Sequence, residues 1–279
     1  MGVIAVSRMY GAGGTTFAKK LSQCLNYQYA DKEFLNNIIQ SKDDFPFLAD
    51  VADDEESPSF LERIGELFTN KSFYKTALMA TIYDLALKDN IVIAGRAAHI
   101  ILDGIENVVS IQVVAKMSDR IKGIAEAKKI SYEKAHDLIR EKDEEKKDFI
   151  SYYFDKELFD PTMFFMVINS SHIKIDDAID LTCHYSKKHF EQANYPNVQE
   201  TLKNKLIEKR AELMLFKYDL VKEGKIEFEG KEGGKRLIVK GIVGGEETKE
   251  KVLTCLKGLK DVEKIEDNLK KGVLSHVIF

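Results

Sequence analysis

The stretch that most constrains this chain is residues 3 to 16. Val3 to Val6 is a short unbroken apolar run, the pattern of a strand buried on both faces of a parallel sheet. It gives way to a loop holding Gly11, Gly13 and Gly14, then to a helical pattern with Phe17, Leu21, Cys24 and Leu25 on one face. Glycines let backbone N–H groups approach an anion closely, and the unpaired N–H groups of a helix start then hold it. The reading is a phosphate cradle formed by Gly11, Ala12, Gly13, Gly14, Thr15 and Thr16, with the Thr15 hydroxyl available to a Mg²⁺ ion. A plain tight turn between strand and helix is the alternative.

The loop departs from the pattern G-x-x-x-x-G-K-S/T. With Gly13 as the second glycine, Arg8 stands at the first glycine and Gly14 at the lysine. That lysine normally brings charge to the terminal phosphates, so other cations must do so here. Arg8 is one candidate; capping the loop or pairing with the acidic surface is its other reading.

The 279 residues suffice for one large or two modest domains, and 44% hydrophobic with 32% charged residues describes an ordinary soluble globular protein. A net charge of −4 argues against bulk nucleic-acid binding. The charge is uneven: residues 201–279 carry 18 Lys and Arg against 14 Asp and Glu, a surplus of +4 that leaves −8 for the rest. Cys24, Cys183 and Cys255, odd in number and far apart, suggest neither a disulfide framework nor a zinc site. The initial apolar run is too short for a signal peptide or a membrane span, so the expectation is a cytoplasmic protein.

Further short apolar strands are expected at Tyr27–Ala30, Ile91–Ala94, Val108–Val114 and Phe164–Ile168, alternating with helical patterns at about 32–40, 59–69, 72–88, 118–128, 131–154 and 175–192. Ser131 reads as an N-cap. Residues 43–58, with seven Asp and Glu and prolines at 46 and 58, read as an irregular acidic connection. Strands alternating with helices from a glycine loop mean an α/β fold, a parallel sheet sandwiched by helices, with ligands at the carboxyl ends of the strands. Asp31, Gly95-Arg96 and Asn169 all fall at such ends. Asp31 is equally a helix N-cap, and the alternating charges from Arg140 to Asp148 equally make solvated pairs along a helix.

In this order, Ile4-Ala-Val-Ser-Arg-Met-Tyr-Gly-Ala-Gly-Gly, Tyr29-Ala-Asp-Lys-Glu, Ile91-Val-Ile-Ala-Gly-Arg and Val167-Ile-Asn-Ser-Ser resemble the cytidylate kinase-like family, a bacterial branch of the P-loop nucleoside monophosphate kinases. The resemblance covers about residues 1–190. It implies a five-stranded parallel core, ATP with Mg²⁺ as cofactor, and a helical lid. Gly11 to Thr16 would hold ATP phosphates, Arg96 the acceptor phosphate, and Asp31 the acceptor's sugar or base. Arg120 and the stretch Arg140, Lys142, Lys146 and Lys147 would be the lid's cations, with Lys146 where the family often has arginine. Phe164-Phe165 stands where the family often has Tyr-Asp, so an acidic group on the acceptor side is absent.

Past Pro196 the pattern changes. A long helix over Val198–Val221 is expected, then strands at Ile226–Glu229 and Leu237–Val243, a helix after Gly245, and strands at Val262–Leu269 and Val273–Phe279. Arg236-Leu-Ile-Val-Lys-Gly-Ile-Val-Gly-Gly with Gly258-Leu-Lys-Asp-Val-Glu-Lys-Ile resembles a BON domain. That resemblance implies an interaction module, with ligand contact or homo-oligomer formation as its uses; a packing appendage is the plainer reading. The expected division is therefore 1–195 for the kinase-like domain and 196–279 for the long helix with a small α+β domain. The expected function is phosphoryl transfer from ATP to CMP or a related small phosphate acceptor. The alternative is a weakly catalytic nucleotide sensor that signals through the BON-like part.

Overall fold

A computed structural model describes residues 2–40, 70–221 and 224–272. The acidic connection at 43–58, the helical pattern at 59–69 and the last strand at 273–279 lie outside the described residues. The chain divides into two compact units, Met1–Leu35 with Lys88–Tyr195, and Asn36–Leu87 with Pro196–Phe279.

The first unit is a five-stranded, wholly parallel sheet. Its strands are β1 (Val3–Arg8), β2 (Gln28–Ala30), β3 (Ile91–Ala94), β4 (Val108–Val114) and β5 (Met166–Asn169), in the order β2-β3-β1-β4-β5. β1 is central: Val3 pairs with Ile91 on one side and Val108 on the other. Val3 to Val6 are wholly buried, as their lack of alternation requires. Helix α1 (Gly14–Leu25) follows β1, and α2 (Lys32–Gln40) follows β2, its residues from Asn36 on belonging to the second unit. Phe17 and Leu21 of α1 share a core with Ile4, Val6, Ile111, Ile179 and Cys183. Ala115 and Met117 lead from β4 into the helix pair that the resemblance makes a lid, α5 (Met117–Lys128) and α6 (Tyr132–Phe154), after the short α4 (Ala98–Ile101). Ser131 caps α6 as expected, its hydroxyl accepting from Lys134 N at 3.3 Å. α7 (Ile175–Gln192) closes the unit.

A disulfide joins Cys24 of α1 to Cys183 of α7, correcting the expectation of unpaired cysteines. They are 159 residues apart in sequence, a spacing that says nothing about two helices packed side by side. Cys255 remains free, and burial pushes its thiol up to about 12.

The second unit holds α3 (Lys71–Lys88, but for its last residue), α8 (Tyr195–Lys217, but for its first) and a mixed sheet. In that sheet β6 (Gly224–Lys231) runs antiparallel and β8 (Lys264–Lys271) parallel to a central β7 (Arg236–Val243), and α9 (Glu246–Leu256) connects β7 to β8. Leu237, Val239, Val252, Leu256, Ala211 and Leu215 make its core. The stretch 36–87, expected in the first domain, thus goes with the C-terminal residues. The reason is packing: Phe73 of α3 meets Phe216 of α8 edge-on at 5.5 Å, Thr76 donates to Glu212 at 3.1 Å, and Arg210 pairs with Asp84 at 3.5 Å and Asp261 at 2.8 Å.

A chain ending at residue 195 would therefore leave Phe73 and its neighbours without their cover. Losing one buried phenylalanine costs about 3–5 kcal/mol, and here a whole packing partner goes. The expected result is loss of a cooperative thermal transition, with strong binding of a hydrophobic dye, measured against the full chain. A truncated chain that melts as sharply as the full one would show that α3 does not need α8.

Candidate functional site

The glycine loop is built by backbone geometry. Gly11 and Gly13 sit at φ 79° and 77°, a region that favours glycine. Gly13 is the residue before α1 and offers no side chain to cap it, so the first-turn N–H groups of Gly14, Thr15 and Thr16 have no intrahelical acceptor. The first bond of the helix is from Phe17 N to Gly13 O, at 2.9 Å. Thr15 and Thr16 are exposed, and Ala12 is buried. The Ser170 hydroxyl donates to the Ala12 carbonyl at 2.8 Å, with the Val114 carbonyl at 3.2 Å. Asn169 accepts from Ser171 N at 3.1 Å, and the Ser171 hydroxyl accepts from Lys116 N at 2.8 Å. The Asn-Ser-Ser segment at the end of β5 thus braces the loop.

Position 14 has no room for a side chain. A Cβ there would lie 2.4 Å from Arg8 Cβ, and a Cβ on Gly95 would lie 2.4 Å from Arg8 Nη1. The Arg8 side chain passes between these two glycines, from the glycine loop toward the end of β3. Its guanidinium makes no hydrogen bond or ion pair with the described residues. Burial lowers its pKa, while Tyr29 and Asp31 act in the opposite sense.

Arg96 follows Gly95 with its own backbone at φ 52°, and its guanidinium lies over the Phe149 ring at 4.8 Å. Asp31 caps α2, one carboxylate oxygen accepting from Glu33 N and Phe34 N at 3.1 Å each. Arg120 is 5% exposed and donates to the Tyr10 carbonyl at 3.2 Å and to Asp143. Lys146 donates to the Arg8 carbonyl at 3.1 Å, stands 3.6 Å from Asp143 and lies over the Tyr10 ring at 5.6 Å. Burial, outweighing Asp143, pulls the Lys146 ammonium down to about 8. Lys147 pairs with Glu144 on the exposed side of α6, so for this pair the solvated reading stands, while Lys142 pairs with Glu145 at the edge of the site.

A cavity of about 370 Å³ opens where these groups converge. Arg8, Lys32, Arg96, Lys142 and Lys146 line it against one carboxylate, Glu145, with Phe149, Ile150 and Leu158 as its apolar wall. With Lys142 paired to Glu145, the lining still holds Arg8, Lys32, Arg96 and Lys146, a cationic surround suited to an anion. Sequence reasoning missed Lys32, which directly follows Asp31, and Asp143 with Tyr10. A second cavity, about 500 Å³, has Asp103 and Glu106 in its wall and no lysine or arginine. His99 touches both cavities; burial pushes its imidazole down to about 4, so it is neutral at pH 7.

Gly14→Ala is the direct check on the Arg8 path. It should displace Arg8 and destabilise the fold by about 1–3 kcal/mol, the usual cost of overpacking, as read by thermal unfolding. An unchanged melting curve would mean that Arg8 does not fill that space.

The family model of the cytidylate kinase-like family matches residues 3–172. No curated protein matches the chain. Among solved structures, an uncharacterized protein from Eubacterium ventriosum ATCC 27560 superposes with a TM-score of 0.53 at 21% identity, over 67% of this chain and 99% of the other. A shikimate kinase from Bacteroides thetaiotaomicron matches with a TM-score of 0.37 at 18% identity, over 68% of this chain and 98% of its own. The first of these likenesses speaks for the fold only. The family match runs from β1 through the glycine loop, the Gly95-Arg96 turn and the Asn-Ser-Ser brace, more than half of the sequence: the chain belongs to the cytidylate kinase-like family.

Proposed function

We propose that the protein is an ATP-dependent phosphotransferase of the nucleoside monophosphate kinase type, with CMP or a related small phosphate acceptor as substrate. The observation that carries this reading is the cation-lined cavity beside a glycine loop at the carboxyl ends of parallel strands. Gly11 to Thr16 fit a triphosphate, because the loop is a cradle of backbone donors in which position 14 excludes any side chain. Among the described residues no group of His, Cys, Asp and Glu could hold a metal by itself. The Thr15 hydroxyl fits a Mg²⁺ ion that takes its other ligands from phosphate oxygens and water.

Bound ATP with Mg²⁺ would supply the γ-phosphoryl group: an acceptor phosphate oxygen bonds to its phosphorus as the bond to the bridging oxygen breaks and ADP leaves. The chain's part is positioning and charge neutralisation. Arg96 holds the acceptor phosphate, Arg8 sits between donor and acceptor, and Arg120 and Lys146 meet the charge of the transferred group. Asp31, at the end of β2, faces the acceptor's sugar or base while capping α2. The reading takes residues 1–195, less the stretch 36–87 that goes with the second unit, as the kinase-like part and the cytoplasm as its compartment. Residues 196–279 are then a BON-like module for ligand contact or self-association. A second reading, a nucleotide sensor with little turnover, is favoured by one observation: Arg8 fills the room that a lysine at position 14 would need.

Incubation with ATP, Mg²⁺ and each nucleoside monophosphate in turn, following ADP and the new diphosphate, separates the two. At least one acceptor should be converted well above background, and Arg96→Ala should then cut kcat/KM by about 10²–10³. ATP binding with no turnover on any acceptor would favour the sensor. A pH prediction follows from Lys146. Its charge is lost as pH rises through about 8, so kcat/KM, which reports the free enzyme, should fall on the alkaline side of that value. Lys146→Arg stays charged there and should remove that limb.

A further inference from the structure

The Asp143 carboxylate touches three groups at once. One oxygen accepts the backbone N–H of Tyr10 at 2.8 Å, and the other accepts from Arg120. Lys146, three residues on along α6, lies 3.6 Å away. The two cations then reach the phosphate loop on their own account, Arg120 to the Tyr10 carbonyl and Lys146 to the Arg8 carbonyl. Asp143 is mostly buried, at 16% side-chain exposure, and the Arg120 side chain at 6%. A buried guanidinium needs a counter-charge, since desolvating it alone costs several kcal/mol. Among the described residues Asp143 is the carboxylate that supplies it. The same carboxylate takes a donor of Tyr10, in the phosphate loop itself, so it fixes cations and loop to one another.

We propose that Asp143 is a positioning residue of the phosphate site: it fastens Arg120 and Lys146 to the loop at residues 8 and 10, so that both cations stand ready for phosphate. The proposal rests on the phosphotransferase reading for what the cations do, and on the geometry alone for how they are held. Asp143 itself touches no phosphate. Without it, Arg120 and Lys146 repel each other with nothing between them, and the loop loses its tie through Tyr10.

The test uses the full chain with Asp143→Asn and Asp143→Glu. The first readout needs no nucleotide: the pH dependence of acylation of Lys146, followed by mass spectrometry. Lys146 is faced by Asp143 on its own helix, by Arg8 from β1, by Arg120 from α5 and by the Tyr10 ring from the loop. Asp143 alone of these raises its pKa, so Asp143→Asn should move the titration of Lys146 down by about one pH unit, whereas Asp143→Glu should restore it. The second readout is Mg·ATP affinity by calorimetry, expected to fall about tenfold in Asp143→Asn, the scale of a lost charge-assisted contact, and by less in Asp143→Glu. An unmoved Lys146 titration, or ATP binding as tight as or tighter than in the wild type, would overturn the proposal. If Asp143→Asn does not fold, Asp143→Ser takes its place: a Lys146 titration or an ATP affinity equal to the wild type overturns the proposal, and a lowered titration with reduced affinity at wild-type melting temperature upholds it. A wild-type protein that binds no ATP would sink the phosphotransferase reading, while the Lys146 titration would still judge Asp143.

Discussion

Everything at the candidate site depends on β1 being hydrogen-bonded on both sides. Because β3 and β4 flank it in parallel, the ends of three neighbouring strands deliver their loops to one place. Val6 lies opposite Ala94, so the turn at Gly95-Arg96 begins beside Ser7 and Arg8. Arg8 lies opposite Val113, so the path into α5 and α6 begins on the other side. A strand in that position must be apolar on both faces, and only its last residue is free to carry charge. That residue is Arg8, and its side chain finds room because two glycines face it.

The site's electrostatics follow from crowding. Arg8, Arg96, Arg120 and Lys146 gather near one loop while the first two hundred residues are net negative. Burial lowers the affinity of Lys146 for its proton, and the neighbouring Arg8 and Arg120 add to this. Asp143 relieves the strain for Arg120 and Lys146. For Arg8, burial outweighs the opposing pull of Tyr29 and Asp31, and no carboxylate among the described residues forms an ion pair with it. An anionic ligand arriving there meets a charge that the protein has not already neutralised, which is the condition under which an electrostatic contact contributes most.

Much of this was legible in the sequence. The unbroken apolar strands, the glycine loop, the Ser131 cap and the residues at strand ends were read from local patterns, and local patterns determine them. The misses share a cause. Asp143 lies in a run of alternating charges that looks like any solvated helix, and only a tertiary contact distinguishes it from Glu144 beside it. Cys24 and Cys183 meet because two helices pack, which no spacing records. Pro196 reads as a break, yet proline fits the first turn of a helix, where no backbone donor is needed; α8 accordingly starts at Tyr195. The allegiance of residues 36–87 was hidden for the same reason as Asp143: α3 is drawn to α8 by partners far along the chain.

That allegiance has a consequence for how the protein is made. The chain leaves the first unit after Leu35, returns at Lys88 and leaves again after Tyr195. During synthesis α3 emerges long before Phe216, its ring partner, exists. All five strands of the parallel sheet are available while Phe73 of α3 still lacks its cover. Domains tend to fold as units in the order they are synthesised, but a unit built from two separated segments cannot close until the second has left the ribosome. In that interval the buried residues of α3, Phe73 among them, are open to a chaperone or to aggregation.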